Sequence, residues 1–263
     1  MIVVCDEGDA HGTPVVVELE AVGKTVLRYN LSDVRSSNIV AHSGETYVEV
    51  AGSWYRITAG TTVWWHRTGV VDVSDLDAEE SALAHDEAVH VLKGSFSAAG
   101  VRWVDDPSDV DRAELKLYQL SVASNLGIVI PLHELTNHTP TAELLASDRA
   151  IVAKALSSGE GIAPFVAEVM PNELALVAGL PVLLEELVST AVADLRVVVI
   201  ANKAYVWRRQ RTRGVTDWRR DDPSGSGFSP TEDEATARDA VRLTAALRLS
   251  MSCLLYTSDA ADE

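Results

Sequence analysis

The start of the chain holds the pattern that most limits its fold. The apolar run Ile2–Cys5 ends in the polar turn Asp6-Glu7-Gly8-Asp9. A predicted helix at Thr13–Val22, closed by Gly23, leads to a second apolar run at Thr25–Tyr29. A strand, a helix and a strand in close succession form a parallel pair with a right-handed crossover. We therefore predict a Rossmann-like α/β domain at the start of the chain.

The rest of the chain mixes helices with hairpins, as in an α+β fold. A turn at 105–109 separates residues 1–105 from a predicted helix, Asp111–Leu126, which Gly127 should end. Strands are predicted at Ala150–Ala155 and Val182–Leu187, and Leu195–Ile200 and Lys203–Arg208 should form a hairpin. We divide the chain into domains at residues 1–105, 106–188 and 189–252, followed by the tail 253–263.

Charge and cysteine content exclude several classes of protein. With 22 Lys+Arg against 39 Asp+Glu the net charge is −17, whereas nucleic-acid binding needs clustered cationic side chains. We therefore expect no nucleic-acid partner. No apolar run is long enough to span a membrane, and the start lacks a signal-peptide pattern. Two cysteines give no disulfide framework, which fits a cytoplasmic protein.

Two lysines are candidates for binding phosphate groups. Lys154 ends an apolar strand and is followed by a loop that contains Ser158, Gly159 and Gly161. Glycines let the backbone fold over phosphates without an intervening side chain. Lys116 lies near the start of a predicted helix. Each lysine taken alone is more typical of a solvated surface residue than of a phosphate ligand. The order of the motifs that follow decides between these two interpretations.

The later motifs come in the order of a nucleotide site. Glu185, Glu186, Leu187 and Val188 lie between two groups of strands, where backbone groups could bind an adenine edge. Asp194-Leu195-Arg196 opens the next hairpin, and a basic stretch that includes Arg219 follows. That stretch is either a solvated hairpin or a cradle for phosphate or an acidic substrate. Transfer of a phosphoryl group requires cations and backbone donors placed in this way.

This order resembles the ATP-grasp ligases, over nearly all of residues 1–252. Val63-Trp64-Trp65-His66-Arg67, Lys116-Leu117-Tyr118-Gln119, Thr136-Asn137 and Asp217-Trp218-Arg219 look like the graspetide branch, which includes the microviridin-type enzymes that mature ribosomally made peptides. The resemblance implies a Rossmann-like pre-ATP-grasp domain followed by an incomplete ATP-grasp fold of two α+β subdomains. His66 departs from the arginine common at that position.

The resemblance also implies a role for each candidate residue. Lys116 and Lys154 would contact the ATP phosphates, and the segment with Ser158, Gly159 and Gly161 would cover them. The run Glu185, Glu186, Leu187 and Val188 would hold adenine, and Asp194 the ribose. Arg196 and Arg219 would act as catalytic residues that stabilise phosphate or an acyl phosphate. No metal site is predicted among the histidines, because the pairs His85/His90 and His133/His138 lack zinc-site spacing.

The last eleven residues, Cys253 to Glu263, differ in kind from the rest. They are the residues that a widely used transposase-end sequencing adapter encodes in one frame. Segments of this origin are excluded from fold reasoning, so we take residues 1–252 as the biological part. The helix predicted at Thr236–Met251 is then expected to be cut off within its gene.

The intact enzyme is expected to be an ATP-dependent carboxylate–amine or carboxylate–hydroxyl ligase that works through an acyl phosphate. The resemblance implies ATP and Mg²⁺ as cofactors and a precursor peptide as partner, whose Asp or Glu side chains are cross-linked. The family's acidic metal ligands have no counterpart before Ser252, so the chain itself is expected to be inactive. Two alternatives stay open: a non-catalytic nucleotide- or peptide-binding relative, and a ligase for free amino acids or small peptides. Whether a homodimer forms is also open.

Overall fold

The computed structural model describes residues 1–6, 8–156 and 166–259, with side chains up to residue 256 in the last range. The chain divides into two compact units, Met1–Val110 and Asp111–Glu263. No helix among the described residues is long and apolar enough to cross a membrane.

The N-terminal unit contains a parallel sheet and an antiparallel sheet. Its elements are β1 (Ile2–Val4), α1 (Gly12–Ala21), β2 (Leu27–Tyr29), β3 (Asn38–His42), β4 (Glu45–Val50), β5 (Ser53–Ile57), β6 (Thr62–Trp65), α2 (Ala78–Ala98), β7 (Arg102–Val104) and the start of α3 (Pro107–Ala113). The order β2-β1-β6-β7 is parallel throughout, which confirms the predicted β-α-β opening. Strands β3, β4 and β5 form the antiparallel sheet; the sequence predicts a hairpin at Tyr47–Val50 and Ser53–Ile57, and β3 adds a third strand to it.

The helix α2 packs its apolar face onto the core of this unit. Leu92 and Phe96 are fully buried with Tyr29 and Val63. The acidic-then-apolar pattern of Asp75–Leu92 predicts a helix there, and α2 begins instead at Ala78, because the Asp77 carboxylate accepts hydrogen bonds from the first turn. Such a cap fixes the start of a helix more sharply than its apolar pattern does.

The C-terminal unit contains two antiparallel four-stranded sheets. Its elements are α4 (Lys116–Asn125), β8 (His133–Thr136), α5 (Thr139–Leu145), β9 (Ile151–Lys154), β10 (Val166–Glu168), β11 (Val182–Glu186), β12 (Ala191–Ile200), β13 (Lys203–Gln210), β14 (Ser229–Thr231), α6 (Glu234–Ala246) and β15 (Met251–Asp259), with 3-10 helices at Pro171–Val177 and Trp218–Arg220. The strand orders are β10-β9-β11-β8 and β14-β13-β12-β15.

The helix predicted at Asp111–Leu126 is in fact two helices. The chain leaves the helical conformation at Leu115, whose backbone is extended, and α4 begins at Lys116. Ala113, at the end of α3, is buried in the core with Ala123 and Ile128. Gly127 has a φ of 74° and ends α4, as predicted. The break makes Lys116 the first residue of a helix, instead of a residue in the second turn of a longer one.

The end of the chain also differs from the prediction. The helix α6 ends at Ala246, before the predicted limit at Met251, and residues 251–259 form β15 alongside β12. Alternating burial along β12 places Leu195 and Val197 in a core that also receives Leu254 and Tyr256. Residues 253–259 are thus part of the sheet, because an apolar alternating segment can satisfy the open backbone edge of β12. Their origin in an adapter stays a prediction.

Candidate functional site

A cleft in the C-terminal unit brings together most of the predicted residues that lie in the described part of the chain. Its walls come from β9, β11, β12, the segment after β13, and β15. Its apolar lining includes Val152, Val166, Leu187, Val188, Leu255 and Tyr256, and its charged lining consists of Lys154, Glu185, Glu186, Asp194, Arg211, Asp217 and Arg219. An apolar floor with a few converging charged groups is typical of a small-molecule site.

Lys154 and Glu185, both in the lining of this cleft, form an ion pair. Their strands are neighbours, with Leu183 opposite Lys154 and Glu185 opposite Val152. The Lys154 ammonium donates to a Glu185 carboxylate oxygen; the Glu185 side chain is 6% exposed and that of Lys154 is 37% exposed. The buried carboxylate needs this cation. It also holds the ammonium in the cleft, where an anionic ligand could share it.

Lys116 lies at the beginning of α4, close to this pair. Burial and the nearby Lys154 ammonium both lower its pKa, and a smaller effect of the Glu185 carboxylate opposes them. Lys116 is nevertheless an exposed residue, so its side chain stays largely hydrated and the effect of burial on its pKa is small. Two ammonium groups near one carboxylate leave an excess of positive charge. An anion would relieve their repulsion, as the predicted phosphate contact requires.

The segment after β11 forms a firmly held edge of the cleft. The Glu186 N–H donates to the Leu132 carbonyl at 2.8 Å, and the Leu187 N–H donates to the Ala150 carbonyl at 2.9 Å. The Val188 carbonyl accepts a hydrogen bond from the Arg211 guanidinium at 3.2 Å. Among the described residues, the Val188 N–H has no hydrogen-bond partner. A fixed apolar edge with a free N–H suits a flat heteroaromatic ligand such as adenine.

Asp194 lies in the cleft between two arginines. Its carboxylate is 3.4 Å from Arg209 Nη1 and 3.7 Å from Arg211 Nε. Burial raises the Asp194 pKa, and the two guanidinium groups partly offset that effect. These distances are long for charge-assisted hydrogen bonds. The carboxylate therefore keeps acceptor capacity for a ligand hydroxyl, as the predicted ribose contact requires.

Arg219 is held by its own 3-10 helix. Asp217 is buried and accepts hydrogen bonds at 3.1 Å from both the Arg219 N–H and its Nη1. The guanidinium also stacks over the Trp218 ring, 4.9 Å from its centre. Both contacts fix the position of the cation beside the cleft.

Lys116 and Arg196 are the two predicted residues in the described part of the chain that do not line this cleft. Arg196 lies two residues beyond Asp194 along β12, and its Nε donates to Cys253 Sγ at 3.2 Å. Its catalytic role stays a prediction. Ser158, Gly159 and Gly161 lie outside the described residues.

Pairing across strands explains much of the basic stretch from Trp207 to Arg220. Arg209 is buried among Asp194, Asp221 and Asp222, and Arg211 faces Asp194. These carboxylates are remote from their arginine partners in sequence or separated by a turn, so the sequence shows a basic run where the structure contains a balanced network. Sequence reasoning did not identify Val152, Val166 or Tyr256 as lining residues, because apolar residues in strands carry no local signal of a site.

The residues of the cleft fit a nucleotide, with cations for phosphates and an apolar edge for a base. A metal is a different matter. Among the described residues, three metal-type ligands converge at Asp9, His11 and His66, and these belong to the N-terminal unit. The described residues of the C-terminal unit supply no such set for Mg²⁺, so we derive no step through that ion.

Comparisons with solved structures identify the fold. No family model matches the chain, and no curated protein sequence matches it. The macrocyclase MdnC of Microcystis aeruginosa, bound to the precursor peptide MdnA, is similar in structure with a TM-score of 0.85 and 19% identity, over 99% of this chain and 87% of that one.

Two further solved structures extend the likeness. A RiPP-associated ATP-grasp ligase of Chryseobacterium gregarium, in complex with ADP and a leader and core peptide, has a TM-score of 0.86 and 20% identity, over 100% of this chain and 86% of that one. D-alanyl-alanine synthetase A of Vibrio cholerae is more distant, with a TM-score of 0.63 and 11% identity, over 100% and 85%. The chain therefore has the fold of ATP-grasp ligases, as the sequence predicted.

Proposed function

We propose that the intact protein is an ATP-dependent carboxylate–amine or carboxylate–hydroxyl ligase that acts on a ribosomally made peptide. The observation that carries the proposal is the convergence of Lys154, Glu185, Asp194 and Arg219 on one cleft beside the edge formed by Leu187 and Val188. This cleft lies in a chain whose whole length resembles ATP-grasp ligases.

The proposed reaction has two steps. A substrate carboxylate oxygen attacks the γ-phosphorus of ATP, the bond to the bridging oxygen breaks, and ADP leaves with the electron pair. An amine or hydroxyl then attacks the carbonyl carbon of the acyl phosphate. Inorganic phosphate leaves, the nucleophile loses its proton, and an amide or ester remains. The peptide loses one water for each bond formed, and ATP becomes ADP and phosphate.

Different residues would bind the phosphates, the base and the ribose of ATP. Lys154 and Lys116 would bind phosphate oxygens, with the Glu185 carboxylate holding the Lys154 ammonium in place. The Val188 N–H and the Leu187 side chain would receive the base, and the Asp194 carboxylate would accept a hydrogen bond from the ribose. Arg219, fixed by Asp217 and Trp218, would stabilise the charge that develops on the transferred phosphoryl group. Arg196, on the same face of β12 as Asp194, would assist from a position further along the strand.

The proposed substrate is an Asp or Glu side chain of a precursor peptide. Support comes from two similar structures, one bound to a precursor peptide and the other to a leader and core peptide. When bound, Mg²⁺ would supply positive charge that neutralises the phosphates; PsnB, an ATP-grasp ligase of similar structure, has been solved with a minimal precursor, Mg and ADP. We further propose that residues 253–263 derive from an adapter, and that the chain as given binds ATP without turning it over.

Nucleotide binding is tested first, by calorimetric titration of the full chain with ATP. Replacing Lys154 with Met should weaken ATP binding by at least about tenfold, because a charge-assisted hydrogen bond to phosphate contributes about 1.5–3 kcal/mol. The control is Lys203→Met, which removes an exposed lysine at the start of β13. Since Lys154→Met leaves Glu185 unpaired, Lys116→Met serves as a second variant, and circular dichroism checks that each variant is folded.

The outcomes separate the alternatives. Saturable ATP binding that both site variants weaken and Lys203→Met does not supports the proposed site. Equal affinities in all variants, or no saturable binding by the parent, would overturn it. Release of ADP by the chain as given contradicts its proposed inactivity.

For the intact gene product, loss of one water mass from an acidic precursor peptide encoded nearby supports peptide ligation. ADP formation with free amino acids alone favours the small-substrate ligase, and binding without any turnover favours the non-catalytic relative.

A further inference from the structure

We propose that Asp9, His11 and His66 form a binding site for a divalent transition metal of the Zn²⁺ class in the N-terminal unit. Asp9 and His11 lie in the turn between β1 and α1, and His66 directly follows β6. The two strands are parallel neighbours, with Val4 opposite Trp65, so the residues after them meet at one edge of the sheet. The backbone N–H of His66 also donates to the Val4 carbonyl at 2.9 Å.

The spacing of the three ligand atoms fits a metal. His66 Nε2 is 3.5 Å from His11 Nδ1 and 3.8 Å from Asp9 Oδ1, and His11 Nδ1 is 3.9 Å from Asp9 Oδ1. A point between these atoms lies about 2.2 Å from each of them, close to the length of Zn–N and Zn–O bonds. The three side chains therefore need little movement to coordinate one ion.

The surroundings hold two of the ligands in place. The Asp9 side chain is 4% exposed, and its Oδ1 accepts hydrogen bonds from the backbone N–H groups of His11 at 2.9 Å and Gly12 at 2.6 Å. The His66 ring stacks on Trp64, with 4.6 Å between the ring centres. Ligands that are already oriented lose little conformational freedom when a metal binds.

One side of the site is open to solvent. The His11 side chain is 51% exposed, whereas that of His66 is 17% exposed. An ion held by three protein ligands would complete its coordination with water or an external ligand on the His11 side, as in zinc sites with an open position. Arg67 Nη1 lies 3.9 Å from the second Asp9 oxygen and balances its charge.

A competing account is a plain hydrogen-bonded cluster of one carboxylate and two imidazoles that binds no metal. The two accounts differ in the response to Co²⁺, which replaces Zn²⁺ in such sites and absorbs visible light strongly when its geometry is tetrahedral. The probe is therefore CoCl₂ titrated into the full chain and followed by visible absorption, with ZnCl₂ in calorimetry. Both are done in a Cys253→Ser background, because Cys253 is an exposed free thiol.

We expect saturable binding of one Co²⁺ with visible absorption bands, and displacement of that Co²⁺ by Zn²⁺. His66→Gln and His11→Ala should each weaken binding by more than about tenfold. Asp9→Asn should do the same while keeping an oxygen that can accept from the Gly12 N–H, so that α1 is preserved. The control is His42→Ala, an exposed histidine at the end of β3 in the same unit.

The proposal fails if the parent shows no saturable Co²⁺ binding, or if the three ligand variants bind Co²⁺ as tightly as His42→Ala does. It also fails if Cys5→Ser alone abolishes binding, because the buried thiol would then be the ligand. The far-ultraviolet circular dichroism of each variant must match that of the parent. If His66→Gln or His11→Ala fails this check, the Co²⁺ affinity of Asp9→Asn decides whether the proposal stands.

Discussion

Replacing Arg209 with Met tests the charge network that supports the cleft. The Arg209 side chain is 7% exposed and lies within 3.4 Å of a carboxylate oxygen of Asp194, Asp221 and Asp222. Methionine has a similar apolar stem, so packing changes little while the guanidinium is lost. Asp194 would then face Arg211 alone, at 3.7 Å.

The expected loss follows from the burial of Asp194, whose side chain is 14% exposed. Removing one partner of a buried ion pair costs about 3–5 kcal/mol. The partner acids retain some contact with water, so we expect the free energy of unfolding to fall by about 3 kcal/mol, near the lower end of that range. Such a change raises the population of the unfolded C-terminal unit by a factor of about 150.

The assay is amide hydrogen exchange at increasing urea, read on peptides from β12 and β13, which reports the C-terminal unit by itself. The pH dependence identifies the cause. Burial already raises the Asp194 pKa, and loss of Arg209 should raise it further. A raised pKa penalises only the ionised form, so the part of the loss that comes from Asp194 should be nearly absent below about pH 4 and should grow as pH rises through the raised pKa. The Thr212 hydroxyl and Arg209 lower the Asp221 pKa, so the part that comes from Asp221 should persist until pH falls through that lowered pKa.

The matched control is Arg213→Met, which makes the same charge change at an exposed position of the same basic stretch. We expect it to change the free energy of unfolding by less than about 0.5 kcal/mol. A loss for Arg209→Met that is equal at low and neutral pH would show that packing, not charge, is responsible. A loss no larger than that of Arg213→Met would refute the network altogether.

Two further predictions concern Lys116 and Tyr256. Lys116→Met should leave the free energy of unfolding at neutral pH unchanged or slightly higher, while ATP affinity falls by about tenfold. The reason is that burial and Lys154 already lower the Lys116 pKa. In the parent, stability is therefore lost as pH falls through that lowered pKa, and urea titration at two pH values should show no such loss in the variant. The buried Tyr256 hydroxyl has no hydrogen-bond partner among the described residues. Tyr256→Phe removes this hydroxyl and should therefore raise the free energy of unfolding by about 1 kcal/mol. Burial raises the Tyr256 pKa to about 12, so the parent, unlike the variant, should lose stability between about pH 10 and that value; a destabilised Phe variant would mean that the hydroxyl has a partner.

Several parts of the fold and the site could be predicted because their signals are local. The apolar runs at 2–5 and 25–29 around one helix predicted a parallel pair, and β1 and β2 are parallel. Gly127 ended a helix as expected, since a positive φ favours glycine. The order of Lys154, Glu185 and Asp194 along the chain predicted one site, and all three line the same cleft.

Other features depend on residues that are far apart in sequence, and the amino-acid pattern does not encode their contacts locally. The extended backbone at Leu115 splits a region whose pattern predicts one helix, and Ala113, just before the break, packs with Ala123 and Ile128 from beyond it. The segment 253–259 pairs with β12, since an open strand edge accepts an apolar strand whatever its origin.

The sequence by itself determined the class of the fold, the order of its elements and the residue types available for phosphate chemistry. The tertiary structure alone decided which charges neutralise each other. It joined Arg209 to acids on both sides of a turn, placed Arg196 outside the cleft, and brought His66 within 3.8 Å of Asp9. The physical reason is that periodicity depends on neighbouring residues, whereas ion pairs and ligand sets depend on which strand ends meet at the same edge of a sheet.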